Sequence, residues 1–201
     1  MEATVLIVDD EEAVRTALAM LIESEGLTAR SFASGDELLA ADLPEGPACV
    51  LLDLRMPGMG GLEVQARLSE IAPELPVIFL TGFADVADAV TALKRGALDF
   101  FEKPGFDREK LLKTVHAALD THGKSLSQAE GRRVLEARLR TLSPRELEVA
   151  RMAAAGKANK VIAAELGISE RTVEIHRGRA MRKLGLRTAP ELIRLESQLT
   201  T

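Results

Sequence analysis

Five short strand-like runs, most of them apolar and each followed by a stretch with helical periodicity, fill residues 1–121 and leave few folds open. Strands are expected at 4–8, 28–32, 48–52, 76–81 and 98–101, and helices at 11–25, 35–41, 60–71, 84–95 and 107–121. Runs such as Val5-Leu6-Ile7-Val8 and Cys49-Val50-Leu51-Leu52 are apolar throughout, as a strand covered on both faces must be. Helices between such strands supply the crossovers that parallel pairing needs. The expected fold is therefore α/β, a doubly wound five-stranded parallel sheet. Ser34 with Glu37 forms a capping-box pattern, Gly26 ends the first helix, and Pro57-Gly58 marks a loop.

A chain of 201 residues with 46% hydrophobic content suits one or two packed domains. No apolar run approaches the ~18 residues of a membrane span, and none resembles a signal peptide. No membrane association and a cytoplasmic location are expected. The lone Cys49 lies inside a strand-like run and reads as a packing residue. The net charge of −5 hides an asymmetry: residues 1–121 carry 10 Lys/Arg against 22 Asp/Glu, whereas 122–140 carry 5 against 2 and 141–201 carry 11 against 7. An acidic half joined to a basic half suggests two tasks, the basic one facing a polyanion.

Beyond the alternating region, Leu111, Leu112, Val115, Ala118 and Leu119 form a helical stripe that Leu126, Leu135 and Leu139 continue thinly. A helical linker over 122–140 is expected, with hinges at Gly123 and Gly131 because glycine costs about 1 kcal/mol relative to alanine inside a helix. The last segment, 141–201, reads as four short helices. The first opens at the capping box Ser143-Pro144-Arg145-Glu146 and stops at Gly156; the second covers 159–166, the third 170–184, and the fourth opens at Thr188-Ala189-Pro190-Glu191.

The polar residues closing the apolar runs carry the chemistry. Asp9-Asp10 follow the first run, Asp53 the third, Thr81 the fourth, and Lys103 stands just past the fifth. In an open parallel sheet those ends share one edge, where such folds bind ligands. Clustered carboxylates repel one another without a cation, and hard oxygen donors in that number suit Mg²⁺. Asp53 could then attack a phosphoryl group in line, Lys103 could pair with the acyl phosphate, and Thr81 could donate its hydroxyl to it.

Val8-Asp9-Asp10-Glu11, Asp53-Leu54-Arg55-Met56-Pro57-Gly58, Thr81-Gly82 and Glu102-Lys103-Pro104 resemble the flavodoxin-like receiver domain of bacterial two-component response regulators. The resemblance implies that Asp53 is the phosphoacceptor. It makes Asp10 a direct ligand of Mg²⁺ (or Mn²⁺), with Asp9 acting mainly through water and the backbone carbonyl of Arg55 completing the set. Lys103 becomes the phosphate partner, and Thr81 with Phe100 the switch pair. Phe100 keeps the ring found there but lacks a tyrosine hydroxyl. Gly105 soon after Lys103 departs from the usual apolar residue, and Gly82 leaves the phosphoryl group little covered, which suggests a short-lived adduct.

Residues 158–177 have a helix-turn-helix layout, and the second helix bears Arg171, Arg177, Arg179, Arg182 and Lys183 with Val173, Ala180 and Leu184 expected inward. Leu142-Ser143-Pro144-Arg145-Glu146, 156–163 and 169–176 resemble the LuxR-type helix-turn-helix domain. With the receiver, the chain resembles the NarL/FixJ group of response regulators. The resemblance implies that Glu174, Ile175, His176, Arg177 and Gly178 or Arg179 lie nearest bases. It leaves Asn159, Lys160, Thr172 and Lys183 to grip phosphates.

The expectation is a phosphorylation-controlled transcriptional regulator rather than an enzyme, with a receiver over 1–121, a linker over 122–140 and a DNA-binding domain over 141–201. Its partners would be a sensor histidine kinase, double-stranded promoter DNA and, once phosphorylated, a second copy of itself, with release of 141–201 from the receiver as the other open effect of phosphorylation. Two rivals stay open. An aspartate-based phosphatase would normally carry an acid-base aspartate where Arg55 stands, and a protein- or RNA-binding module would ignore duplex DNA.

Overall fold

A computed structural model describes residues 2–82, 86–103 and 105–194 of the chain. It divides into two compact units, Met1–Gln128 and Ala129–Thr201. Among the described residues of the first unit the elements run β1 (Thr4–Val8), α1 (Glu12–Ser24), β2 (Thr28–Phe32), α2 (Gly35–Ala40), β3 (Ala48–Leu52), α3 (Gly61–Ile71), β4 (Val77–Thr81), α4 (Val86–Lys94) and β5 (Asp99–Glu102). α5 (Arg108–Leu139) follows, and α6 (Pro144–Ala154), α7 (Asn159–Leu166), α8 (Glu170–Leu184) and α9 (Ala189–Arg194) complete the second unit.

The five strands form one parallel sheet in the order β2-β1-β3-β4-β5. Alternate strand residues feed two cores, as the period of two in a strand requires. Leu6, Val8, Val50, Leu52 and Phe79 pack with Leu38 of α2 and Val64 and Leu68 of α3. Val5, Ile7, Cys49, Leu51, Ile78 and Leu80 pack with Leu18 and Ile22 of α1 and Leu111, Val115 and Ala118 of α5. Both faces are thus covered, which is why these strands read as unbroken apolar runs. Burial pushes the Cys49 thiol up to about 12, so it stays protonated and serves as packing.

Strand order makes β1 and β3 neighbours whose connections leave toward opposite faces. The crevice at their C-terminal ends is therefore the expected ligand position of such a sheet. Gly61 keeps that crevice tight. A side chain there would run into the Asp53 carbonyl and stand 3.0 Å from the Phe79 ring, so only glycine lets α3 start so close to the end of β3. The expected start of the fourth helix at residue 84 falls outside the described residues.

The glycines expected to act as hinges do not interrupt α5: Gly123 and Gly131 both lie inside it. Packing explains the first, since Leu119 and His122 in the turn before it are buried. In the second unit, Val149, Ala150, Ala153 and Ala154 of α6, Ile162 of α7, Val173, Ala180 and Leu184 of α8 and Leu192 of α9 form one core, with Leu135 and Leu139 of α5 packed against it. The caps expected at Ser34 and Ser143 are present. Ser143 Oγ accepts from the Glu146 N–H at 3.3 Å, and Glu146 Oε2 accepts from the Ser143 N–H at 2.9 Å.

Candidate functional site

Main-chain pairing sets the positions of the acidic residues. Val8 lies opposite Leu52, and the Asp53 N–H donates to the Val8 carbonyl at 2.8 Å. The residues just past β1 and β3 are thereby held side by side. Asp9 and Asp53 are buried, Asp10 is exposed, and each of the three offers a carboxylate oxygen within 4.8 Å of the others. From the far side of the crevice, Lys103 Nζ bonds Asp9 Oδ2 and lies 3.4 Å from Asp53 Oδ2. Its backbone N–H donates to the Thr81 carbonyl at 2.6 Å, which seats Lys103 and Thr81 on the same edge.

Charge in this crevice is unbalanced. Three carboxylates face one ammonium, and Asp9 and Asp53 are withdrawn from the water that would screen their charges. Burial raises the Asp53 carboxyl above its ordinary value; Lys103 and the Arg55 N–H at 3.3 Å oppose that, and the Asp9 charge adds to it. Hard oxygen donors with two surplus negative charges match a divalent cation of the Mg²⁺ or Ca²⁺ type. The three carboxylates are therefore compatible with a divalent metal.

Thr81 is buried at the end of β4, and Phe100 on β5 is half-buried with its ring centroid 6.3 Å from that of Phe79. The Arg55 side chain points away from the acidic cluster and pairs with Asp88 of α4 at 3.4 Å. Pro104, part of the lysine motif, lies outside the described residues.

One participant escaped the sequence reading. Arg15 Nη1 donates to the carbonyls of Asp9 at 2.7 Å and Asp10 at 2.9 Å, pinning the turn that presents both carboxylates. Its place one turn into the helix after the acidic pair was the available signal.

The predicted DNA-contacting residues divide into two groups. Lys160, Glu174, Ile175 and Arg179 are exposed, whereas Thr172, His176 and Gly178 are half-buried on α8. Val173, Ala180 and Leu184 face the core as expected. Arg177 and Asn159, assigned separate contacts from sequence, meet each other across α7 and α8, with Nη1 donating to Oδ1 at 3.0 Å. Lys183, assigned to phosphate, is exposed, and its ammonium stands 2.6 Å from Glu146 Oε2 and 2.9 Å from the Thr141 carbonyl. The hydrogen bond from Lys183, followed by that from the Ser143 N–H, holds the Glu146 carboxyl down to about 2.

Residues 5–116 match the family model of the response regulator receiver domain, and residues 140–195 match that of the bacterial regulatory proteins of the luxR family. The C4-dicarboxylate transport transcriptional regulatory protein DctR of Rhodobacter capsulatus is 44% identical over 97% of this chain and 100% of its own length. The transcriptional regulatory protein FixJ of Azorhizobium caulinodans is 41% identical over 94% of this chain and 89% of its own. Among solved structures, the response regulator StyR superposes with a TM-score of 0.89 at 36% identity, covering 98% of this chain and all of that one.

Proposed function

We propose how a chain that belongs to the response regulators joining a receiver domain to a luxR-type domain, as this one does, couples one carboxylate to transcription. It is a transcriptional regulator of a two-component system; the residue roles and domain limits that follow are our reading. Residues 1–121 accept the phosphoryl group, 122–140 link, and 141–201 bind DNA. The receiver implies a histidine kinase as phosphodonor.

In this mechanism Asp53 attacks the phosphorus of the kinase's phosphohistidine. A P–O bond forms to the carboxylate as the P–N bond breaks, and the leaving imidazole takes a proton from water. The carboxylates of Asp9, Asp10 and Asp53 with the Arg55 carbonyl would hold Mg²⁺ or Mn²⁺, which neutralises charge on the transferring group. Lys103, already between Asp9 and Asp53, needs only a small shift to pair with the acyl phosphate. Thr81 on the same edge turns its hydroxyl toward the new oxygens, and the half-buried Phe100 ring takes up the altered packing. The added ~1.5–2 negative charges then favour a second packing of the surface around α4 and β5, on which two copies pair. Paired copies present two α8 helices to the major groove of promoter DNA.

The observation that carries this reading is the convergence of Asp9, Asp10 and Asp53 with Lys103 at the β1/β3 crevice. It is tested by adding acetyl phosphate and Mg²⁺ to wild type and Asp53→Asn, then reading intact mass and oligomeric state together. A single phosphoryl adduct on wild type alone, with dimer formation, is expected. An adduct on both proteins would remove Asp53 from its role. Steady turnover of small phosphoesters would point instead to the phosphatase.

A further inference from the structure

The two helices of the helix-turn-helix pair end alike. α7 closes at Leu166 before Gly167 at φ 65°, and α8 closes at Leu184 before Gly185 at φ 74°. The final carbonyl of each receives a guanidinium from outside the pair. Arg145 of α6 donates through Nη2 to the Leu166 carbonyl at 2.7 Å, and Arg138 of α5 donates through Nη1 to the Leu184 carbonyl at 2.8 Å. Such carbonyls have no partner within the helix and carry the negative end of its dipole, so an arginine there satisfies both needs.

The fit at α8 is close. A side chain built on Gly185 would stand 3.0 Å from the guanidinium carbon of Arg138 and nearer still to its Nη1, so glycine is what admits the arginine. Leu135 and Leu139, flanking Arg138 on α5, pack against the core that includes Leu184. Lys183 holds the same turn from another side through Glu146 and the Thr141 carbonyl. The last turn of α8 is therefore gripped by the end of α5 and the start of α6, leaving Glu174, Ile175 and Arg179 exposed.

We infer that Arg138 is a positioning residue for DNA reading: it fixes the C-terminal end of α8 and hence the attitude of its exposed side chains, without touching DNA. The inference rests on the reading of α8 as the groove-reading helix. It gives the last turn of α5, a linker by sequence, a direct part in recognition. It also removes one arginine of the basic half from the set that neutralises phosphates.

The test uses the full-length chain as wild type, Arg138→Ala, Arg138→Lys and Arg138→Gln, with duplexes selected from a random pool on the wild type. Arg138→Ala should bind about 3- to 10-fold more weakly, as only part of the worth of one charge-assisted hydrogen bond is felt in binding, with an unchanged slope of log affinity against log salt. Arg138→Lys should recover part of the loss, since an ammonium can still reach a single carbonyl. Amide exchange over 180–185 should quicken in Arg138→Ala. Where that variant does not fold, Arg138→Gln reads the same comparison with one neutral donor. A slope reduced by about 0.9 would mean that Arg138 neutralises a phosphate, and the inference fails. Unchanged affinity and exchange overturn it equally. A wild type that enriches no duplex removes the groove-reading assignment, and exchange alone then decides whether Arg138 holds α8.

Discussion

His122 on α5 accepts the Ala48 N–H at Nδ1 over 2.9 Å, at the very start of the strand that leads to Asp53. That bond requires the neutral ring with its proton on Nε2. Burial lowers the His122 pKa below its ordinary value, although the nearby Glu74 charge acts in the opposite sense. The unfolded chain therefore takes the proton first. The stability that His122 contributes is present above the unfolded pKa of about 6.5 and is lost as pH falls toward the lower folded value. His122→Gln keeps an acceptor for Ala48 without titrating. Between about pH 7.5 and 5.5, the wild-type thermal midpoint should fall relative to that variant; parallel curves would show that the imidazole does not titrate with folding. Nothing in the sequence marked His122, because its partner is a backbone N–H lying 74 positions away. Asp9, Asp53 and Lys103 were legible for the opposite reason. Each stands at or just past the end of a strand-like run, so strand ends alone bring them to one edge.

At the scale of elements, local pattern placed the strands and helices closely, since a run buried on both faces and a stripe on one face leave different periodicities. α5 is where local pattern fell short. Its glycines suggested hinges, yet the helix passes through both. They differ in surroundings: a side chain at Gly123 would press on Pro47 Cγ at 3.3 Å, whereas nothing stands within 4 Å of one at Gly131. Gly131→Ala should therefore stabilise the chain by about 0.5–1 kcal/mol through helix propensity. Gly123→Ala should show little of that gain because Pro47 must move. Urea unfolding of both variants reads the contrast, and equal gains would mean that the Pro47 contact yields freely. Arg138, a plain basic residue by pattern, became a helix cap only through its contact with a carbonyl 46 positions on.

For the whole molecule, the charge asymmetry anticipated a division of tasks, and the family matches over 5–116 and 140–195 agree with it. If phosphorylation pairs two copies on DNA, the number of neutralised phosphates doubles. Acetyl phosphate with Mg²⁺ should then steepen the salt slope of wild-type binding roughly twofold and leave that of Asp53→Asn unchanged. A raised affinity at constant slope would instead favour release of a masked DNA-binding unit. By itself the sequence determined the strand-and-helix alternation, the parallel sheet, and the carboxylates, hydroxyl and ammonium at its edge, because each follows from a local period or from adjacency to a strand end. Only the tertiary structure decided which cations are engaged within the protein. Lys183 and Arg138 are held by Glu146 and by the end of α8, and Arg177 by Asn159. A charge's partner depends on three-dimensional proximity between residues distant in the chain, which no periodicity records.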